Sequence, residues 1–391
     1  MSGITGLATT YNLPNYTGAL IALTPQECPL FSAIGGLTGG KQTKAKEFEW
    51  QGYDLRTPDQ NVALEGASAP TAQARVRANF DNVVQIQQEK VSVSYSKLAA
   101  TQAKAGVNNA EPNPVTNELD WQVMLTLTEM KRDIEWSFWN GKYQKPTDNA
   151  TARKTRGIIQ AITTNVVQKG AAVTGLSAST DTIAETSTGV ANGDKVVFTD
   201  VGASTTIRVD RVYYVVSKTT DAFKVSATSG GAAITIGTAT VSYIKCWTTT
   251  LTVDHINGFL QGIYDNGGLS SQVTLGVGST QKVAVTAAYA LAYAKAAPVT
   301  GNVGGVNVTQ IESDFGVLNI MLSRDVPKDA IVALTLGEMA PQFLEVPGKG
   351  HFFAEPLAKT GASEDVQMYG EVGLEYGSQL HHGIMRGLIP A

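Results

Sequence analysis

The residues best able to do chemistry are four histidines and one glycine-rich turn. His255, His351, His381 and His382 show no HExxH spacing, and the adjacent pair would diverge on regular structure instead of holding one metal ion. The turn at 276–280 (GVGST) follows a strand pattern and opens a helical pattern, a position where a phosphate can bind. It lacks the lysine and the spacing of a nucleotide-binding loop, so we interpret it as a glycine turn with a serine cap.

The other reactive groups form no catalytic set. No Gly-x-Ser-x-Gly sequence marks a nucleophile, and the pair Glu364 and Asp365 falls in a polar stretch that predicts solvated carboxylates. The densest positive cluster, Arg153, Lys154 and Arg156, suits an exposed loop that binds a neighbour's carboxylates better than one that binds nucleic acid. We therefore predict no catalytic residues, no cofactor and no metal, and a protein that is not an enzyme.

Composition limits the class of protein further. The chain has 391 residues, 43% hydrophobic and 16% charged, a length that suggests two or three domains. A low content of charged residues is typical of a protein whose surface is largely covered by partners. The net charge of −4 argues against a protein that binds the phosphate backbone of nucleic acid. Cys28 and Cys246 lack metal-like spacing, which predicts two free thiols in a reducing compartment. No membrane-length apolar run and no secretion signal is visible, so we expect no membrane association.

The longest helical pattern, 114–139, is the element on which the rest of the chain would pack. Asn113 can cap it, Pro114 suits its first turn, and Gly141 can end it. At 1.5 Å per residue it would span about 39 Å. Its charged residues, Glu135 among them, are assigned to the outer surface. Its apolar stripe follows spacings of three and four and consists of Val123, Leu127, Met130, Ile134 and Phe138.

Two segments before this helix do not resemble a compact domain. Residues 1–40 carry a single charged side chain, Glu27, which is typical of an arm that lies along other surfaces. From residue 48 an extended pattern passes a small-residue tip at 65–70 and returns as an alternating strand over 84–95. A two-stranded excursion of this length has little core of its own, so it should rest on a neighbouring subunit.

The part after the helix divides into a β-rich stretch and a mixed stretch. Residues 170–248 are rich in Ser, Thr, Gly and Val without a helical period, which predicts an inserted small β-sandwich or barrel. Helical patterns resume at 254–266 and 280–295. Strands are predicted at 273–277, 306–311, 317–322, 331–336 and 366–374.

The order of these elements resembles the major capsid proteins of tailed bacteriophages, which share the HK97-like fold. Over roughly 1–165 and 250–391, local motifs resemble the same family. These motifs are Thr10-Tyr11-Asn12, Leu30-Phe31-Ser32-Ala33-Ile34, Trp50, Glu65-Gly66, 357–363 (LAKTGAS) and 371–376 (EVGLEY). The resemblance implies an α+β capsid fold with an inserted all-β, Ig-like module. The implied domains are an N-terminal arm over 1–46, an extended β-hairpin loop over 47–92, a peripheral domain over 93–169 with the spine helix, the β module over 170–248, an axial domain over 249–340 and a C-terminal return to the peripheral domain over 341–391.

The same resemblance implies a structural function. Copies of the chain would self-assemble as pentamers and hexamers into an icosahedral head shell of the virion. The shell would be built in the host cytoplasm and would enclose double-stranded DNA without sequence-specific binding. Some relatives crosslink their shells through a lysine in the extended loop. No lysine lies between Lys46 and Lys90 here, so we expect a non-covalent shell.

The resemblance also implies partners and contact residues. Some relatives carry a helical scaffolding segment before the arm, and its absence here predicts a separate scaffolding protein. A portal protein and, optionally, a decoration protein complete the expected partners. Because arginine and aromatic side chains carry much interface energy, we weight them most. Intersubunit contacts are predicted at Thr10, Tyr11, Leu30, Phe31, Trp50, Tyr53, Arg56, Arg75 and Arg77.

Three other interpretations are open from the sequence. A tail or decoration protein of a phage would lack a long spine helix, which circular dichroism would show. A carbohydrate-active enzyme with an attached β module would hydrolyse glycans through a carboxylate. A surface adhesin would need a secretion route, and no signal for one is visible.

Overall fold

The structure is a computed structural model that describes residues 22–100, 104–106, 109–111, 115, 117–268, 272–296, 310–359 and 361–388. The described residues form two compact units. The first unit comprises residues 22–27, 86–133 and 345–371, and the second comprises residues 28–85, 134–344 and 372–388. The helices are α1 (Pro29–Ala33), α2 (Tyr95–Ala99), α3 (Glu118–Asn140), α4 (Ile158–Ala161), α5 (Val253–Asp265) and α6 (Ser279–Ala296), with 3-10 turns at Leu336–Glu338 and Gln379–His381.

Strands outnumber helices and are mostly short. They are β1 (Lys41–Thr43), β2 (Glu47–Tyr53), β3 (Arg77–Val83), β4 (Gln85–Ser94), β5 (Lys104–Gly106), β6 (Asn109–Glu111), β7 (Val166–Gln168), β8 (Ala172–Ser179), β9 (Thr182–Ala184), β10 (Lys195–Asp200), β11 (Val212–Val216), β12 (Ala222–Ser226), β13 (Ala239–Lys245), β14 (Val273–Val277), β15 (Gln310–Ser313), β16 (Gly316–Leu322), β17 (Ile331–Leu334), β18 (Ala340–Leu344), β19 (Phe352–Pro356), β20 (Ser363–Glu375) and β21 (Gly383–Arg386). The predicted strand at 306–311 is described from residue 310 onward.

The spine helix α3 forms where the apolar stripe predicts it, but its start is corrected. It begins at Glu118 instead of residue 114, because Asn117 is the residue that caps it. The side-chain Oδ1 of Asn117 accepts the backbone N–H groups of Leu119 and Asp120, at 3.1 and 3.4 Å. The predicted Asn113 cap and Pro114 lie outside the described residues.

A six-stranded mixed sheet and two helices pack around one hydrophobic core of the second unit. Its strand order is β15-β16-β14-β17-β21-β7, with β14 parallel to β16 and antiparallel to β17. Phe259 and Leu260 of α5 and Val285 of α6 pack against Leu275 of β14 and Ile331 of β17. The last strand, β21, pairs with β17 of this sheet, whereas residues 372–375 of β20 pair with β18 in a different sheet. The strands at the C-terminal end of the chain are therefore divided between two sheets.

The inserted β stretch closes into a barrel. Six strands follow one another in the order β10-β11-β12-β9-β8-β13 and back to β10. Alternating residues such as Val196 and Phe198 of β10 and Val241 and Tyr243 of β13 fill its interior, as expected for a small barrel. Of the two alternatives that the sequence left open, the barrel is the one formed, and the two-sheet Ig-like sandwich is not.

The long excursion is a hairpin, and its strand pairing corrects the prediction. The partner of β2 is β3, with Trp50 opposite Phe80, whereas the predicted returning strand, β4, pairs with β20 instead. The side chain of Asn82 in β3 ties the ribbon to distant segments of the second unit. Its Nδ2 donates to the carbonyls of Leu374 at 2.7 Å and Arg156 at 3.2 Å, and its Oδ1 accepts the N–H of Arg156 at 2.9 Å.

The remaining pairings are described within each unit. In the second unit β1 runs parallel to β18, and β18 runs antiparallel to residues 372–375 of β20. In the first unit β19 runs antiparallel to residues 366–370 of β20.

Candidate functional site

The strongest candidate for a functional surface is the tip of the hairpin, residues 54–76, which we call the hairpin loop. Every residue from 53 to 79 is exposed. Four large apolar side chains of the loop are between 71% and 85% exposed, although burying each one would be worth about 1.5–3 kcal/mol. Such a run of unburied apolar residues is typical of a surface that another molecule covers. The four are Leu55, Val62, Leu64 and Val76.

Four of the predicted contact residues belong to this loop and its flanks. Tyr53 is 74% exposed, and Arg56, Arg75 and Arg77 are exposed as well. Arg56 bonds only the carbonyl of the next residue, at 3.2 Å, and Arg77 Nη1 donates to Gln51 across the ribbon, at 3.0 Å. The structure therefore brings these four residues together on one free segment, and their contact role stays a prediction.

Trp50 is placed differently, at the root of the hairpin. Its ring stacks near Phe48 and Phe80, with centroids 6.0 and 6.1 Å away, and meets Tyr376 edge-on at 4.8 Å. Its Nε1–H donates to the carbonyl of Gly377 at 2.8 Å. Trp50 therefore anchors the hairpin within its own chain and remains partly exposed, and its role in intersubunit contact stays a prediction.

Leu30 and Phe31 differ from the hairpin residues, because both are buried in their own chain. They lie in α1, and the ring of Phe31 packs edge-on against Phe138 of α3, with centroids 5.8 Å apart. Both side chains therefore belong to the core of their own chain, and their role in intersubunit contact stays a prediction. Thr10 and Tyr11, the other predicted contacts of the arm, lie outside the described residues.

Glu135 is the residue that sequence reasoning placed wrongly on the helix surface. It is 0% exposed, and its Oε1 and Oε2 accept the backbone N–H groups of Leu30 and Phe31, at 3.1 and 2.7 Å. Oε1 also accepts from Trp139 Nε1 at 2.9 Å and Ser323 Oγ at 3.3 Å. Burial raises the pKa of this carboxyl above its usual value. The hydrogen bonds lower the pKa, but their effect is smaller than that of burial. In the sequence, Glu135 lies between the apolar stripe residues Ile134 and Phe138, and this position was the signal that could have predicted its burial.

A second carboxylate was predicted to be solvated and is not. Asp365 lies beside β4, where Lys90 Nζ pairs with it at 2.7 Å and Ser92 Oγ donates to it at 2.6 Å. These two partners, Lys90 first, lower the pKa of Asp365 to about 2. Arg156 of the predicted positive cluster is likewise engaged within its own chain, with Nη1 at 2.9 Å from the Tyr376 hydroxyl.

The residues first considered for chemistry have structural roles. Gly276 leaves room for Trp139, since a Cβ there would lie 2.4 Å from the indole ring. The predicted serine cap is instead the first residue of α6. Burial raises the pKa of the free Cys246 thiol to about 12, which keeps it unreactive. Among the described residues, no group of His, Cys, Asp and Glu is arranged to hold a metal ion.

No helix in the described part of the chain combines the length and the apolar character needed to cross a membrane.

Comparison with known proteins agrees with this picture of a structural protein. The family model of the SU10 major capsid protein matches residues 3–388. No curated protein matches the chain. Among solved structures, the capsid asymmetric unit of cyanophage A-1(L) is similar, with a TM-score of 0.55, 10% identity, and 98% of this chain and 99% of that chain covered. The capsid of cyanophage P-SCSP1u is similar with a TM-score of 0.50, 8% identity, and 97% and 93% covered.

The structural matches show that the fold is that of phage capsid proteins, as the resemblance implied. The family match extends over nearly the whole chain, which sets aside a tail protein, a decoration protein, an adhesin and a carbohydrate-active enzyme. The chain is a structural component of the virion head that assembles into an oligomeric shell, and it is not an enzyme. It belongs to the SU10 major capsid protein family.

Proposed function

We propose that copies of this chain build an icosahedral head from pentamers and hexamers, around packaged double-stranded DNA, and that the hairpin loop is the segment by which each copy clasps the next. The observation that carries this proposal is the unbroken exposure of residues 53–79, with its four large apolar side chains. Obligate assemblies commonly bury about 2,000–5,000 Å² per interface, and a free hairpin provides such area without a large core of its own.

The contacts in this shell are proposed to be non-covalent. The extended loop has no lysine between Lys46 and Lys90, so it lacks the amine that an isopeptide bond would need. Arg56, Arg75 and Arg77 provide charged, bidentate donors in its place, beside Tyr53. Boiled shells should then run as a single band at 41.3 kDa in denaturing electrophoresis. A ladder of covalent oligomers would contradict a non-covalent shell.

The domain roles are proposed on the same basis. Residues 1–46 serve as the arm, 47–92 as the extended loop, 93–169 and 341–391 as the peripheral domain, 170–248 as the inserted module, and 249–340 as the axial domain. A separate scaffolding protein, a portal protein and, optionally, a decoration protein complete the assembly in the host cytoplasm. The small acidic excess of the chain supports enclosure of DNA without sequence-specific binding.

Assembly assays with charged variants of the hairpin loop test the clasp. Three added carboxylates at its apolar positions should abolish shells in negative-stain micrographs while circular dichroism stays unchanged, because the loop has no intramolecular packing to lose. The same added charge at small or polar positions of the same loop is the matched control and should leave shells intact. Normal shells from the apolar-site variant would refute the clasp. The test variant is Leu55→Asp, Val62→Asp and Leu64→Asp, and the control is Ser68→Asp, Thr71→Asp and Gln73→Asp.

A further inference from the structure

His382 is a buried histidine whose hydrogen bonds fix it in the neutral form. It is 0% exposed, and its Nδ1 accepts the backbone N–H of Thr335 at 3.2 Å. Its Nε2 lies 2.6 Å from the carbonyl of Tyr376. A backbone N–H can only donate and a carbonyl can only accept, so the single ring proton must reside on Nε2.

The carbonyl that His382 holds belongs to the turn that anchors the hairpin. The ring of Tyr376 packs edge-on against Trp50 at 4.8 Å, and the next residue, Gly377, accepts the indole N–H at 2.8 Å. His382 and Trp50 of β2 therefore both contact this turn. Anything that moves the turn away from His382 also moves the partners of Trp50.

Among the described residues, the ionisable side chains that act on the ring are Glu338 and His381. Glu338 lies in the adjacent 3-10 turn, where its Oε1 is 2.6 Å from Nδ1 of His381 and its Oε2 accepts the N–H of Ser378 at 3.3 Å. Arg156 meets the hydroxyl of Tyr376, on the far side of that residue. Burial, the largest influence, lowers the pKa of His382, and the neighbouring His381 acts in the same direction. The Tyr376 carbonyl and Glu338 oppose it.

We propose that His382 is a pH-sensitive pin that holds the root of the hairpin at neutral pH and releases it in mild acid. A proton added at Nδ1 turns the acceptor for Thr335 into a second N–H donor, so two donors face each other. The ring can then keep its bond to Tyr376 only by giving up Thr335. The ring therefore moves away from Thr335 and draws the 376–377 turn with it, so Tyr376 and Gly377 shift relative to Trp50 of β2.

The direction of the pH effect follows from linkage. A histidine in the opened state titrates near its ordinary pKa of about 6.5, above that of the buried ring. Below about pH 6.5 the opened state therefore binds more protons than the closed state, and closure weakens as pH falls toward the pKa of the buried ring. The opening equilibrium should rise by up to about tenfold for each pH unit in that window.

Amide hydrogen exchange of the full chain at pH 7.5, 6.5 and 5.5, corrected for intrinsic rates, tests the pin. Protection of peptides covering 47–53 and 376–382 should fall with acid, while a barrel peptide covering 195–198 stays protected. His382→Gln should remove this pH response, and the matched variant His381→Gln should keep it. The pin is refuted if the wild-type peptides keep their protection at pH 5.5, or if the response survives in His382→Gln.

A second measurement needs no variant and so does not depend on how His382→Gln folds. Exchange of the imidazole C2 hydrogens, followed by mass spectrometry, titrates all four histidines in the wild-type chain. We expect His382 to exchange slowest and to be half-charged below about pH 6.5. Fast exchange with a half-titration at or above that pH would overturn the proposal, whatever the shell does.

Discussion

Glu135 offers the sharpest test of how the second unit holds α1. Replacing it with alanine removes the acceptor of three buried N–H groups, from Leu30, Phe31 and Trp139. A buried donor left without a partner costs about 1–3 kcal/mol, and three would sum to about 3–9 kcal/mol. Water entering the vacated space and the regained solvation of a carboxylate reduce that sum. We therefore expect Glu135→Ala to cost about 3–5 kcal/mol, as for other broken buried networks.

Urea unfolding followed by tryptophan fluorescence measures this cost, and amide exchange of 29–36 shows where it falls. Glu129→Ala is the matched control, because Glu129 lies on the exposed side of the same helix and its loss should stay within about 0.5 kcal/mol. Glu135→Gln keeps one oxygen acceptor but points an N–H at a donor, so it should fall between the two. A cost for Glu135→Ala equal to that of Glu129→Ala would refute the reasoning.

Two further predictions concern the packing of each unit. Since Lys90 lowers the pKa of Asp365 to about 2 from 3.8, their pairing stabilises the first unit above about pH 4 and is lost as pH falls toward 2. Amide exchange of 363–371 between these pH values should show this loss in the wild type, and Lys90→Met should show low protection throughout. Gly276→Ala should lower the melting temperature by overpacking Trp139, at about 1–3 kcal/mol. Gly278→Ala, whose Cβ would have its nearest neighbour at 3.3 Å, should lower it less; equal effects would contradict the packing role.

The local sequence pattern was sufficient to predict those elements in which buried residues recur at a regular spacing. Met130, Ile134 and Phe138 of the predicted stripe are all buried in α3, since spacings of three and four fix one helix face. The start of α3 was misplaced because two asparagines, at 113 and 117, have equal capping chemistry. Only the hydrogen bonds of the folded chain distinguish them.

Contacts between distant parts of the chain could not be predicted in this way. Glu135 accepts hydrogen bonds from Leu30 and Phe31, which precede it in the sequence by 105 and 104 positions. Asp365 accepts one from Ser92 of β4, 273 positions away. A local stretch of sequence therefore never contains both partners. The hairpin partner was wrong for a related reason. The sequence of β4 alternates more clearly than that of β3, yet β3 is the strand that pairs with β2, and Asn82 near its end bonds the distant carbonyl of Leu374.

The predicted contact residues of the hairpin fall into two groups that differ in solvent exposure, a difference that residue type alone does not reveal. Tyr53 and the three arginines lie on the free hairpin, whereas Trp50 serves its root. An aromatic residue in an extended segment is equally suited to either role, since its large surface can be covered by the same chain or by another. The difference depends on Tyr376 and Gly377, which lie at the other end of the sequence.

The geometry of the barrel has a consequence for how such a head protein can change over generations. Its first strand, β8, runs beside its last, β13, with Ala172 opposite Ile244, so the polypeptide enters and leaves the barrel at adjoining points. Any other domain whose two termini lie close together can join the chain at the same two points. On the domain division that we propose, genetic exchange at this locus can give the particle a new accessory domain, or remove one, while the surrounding strands keep their register.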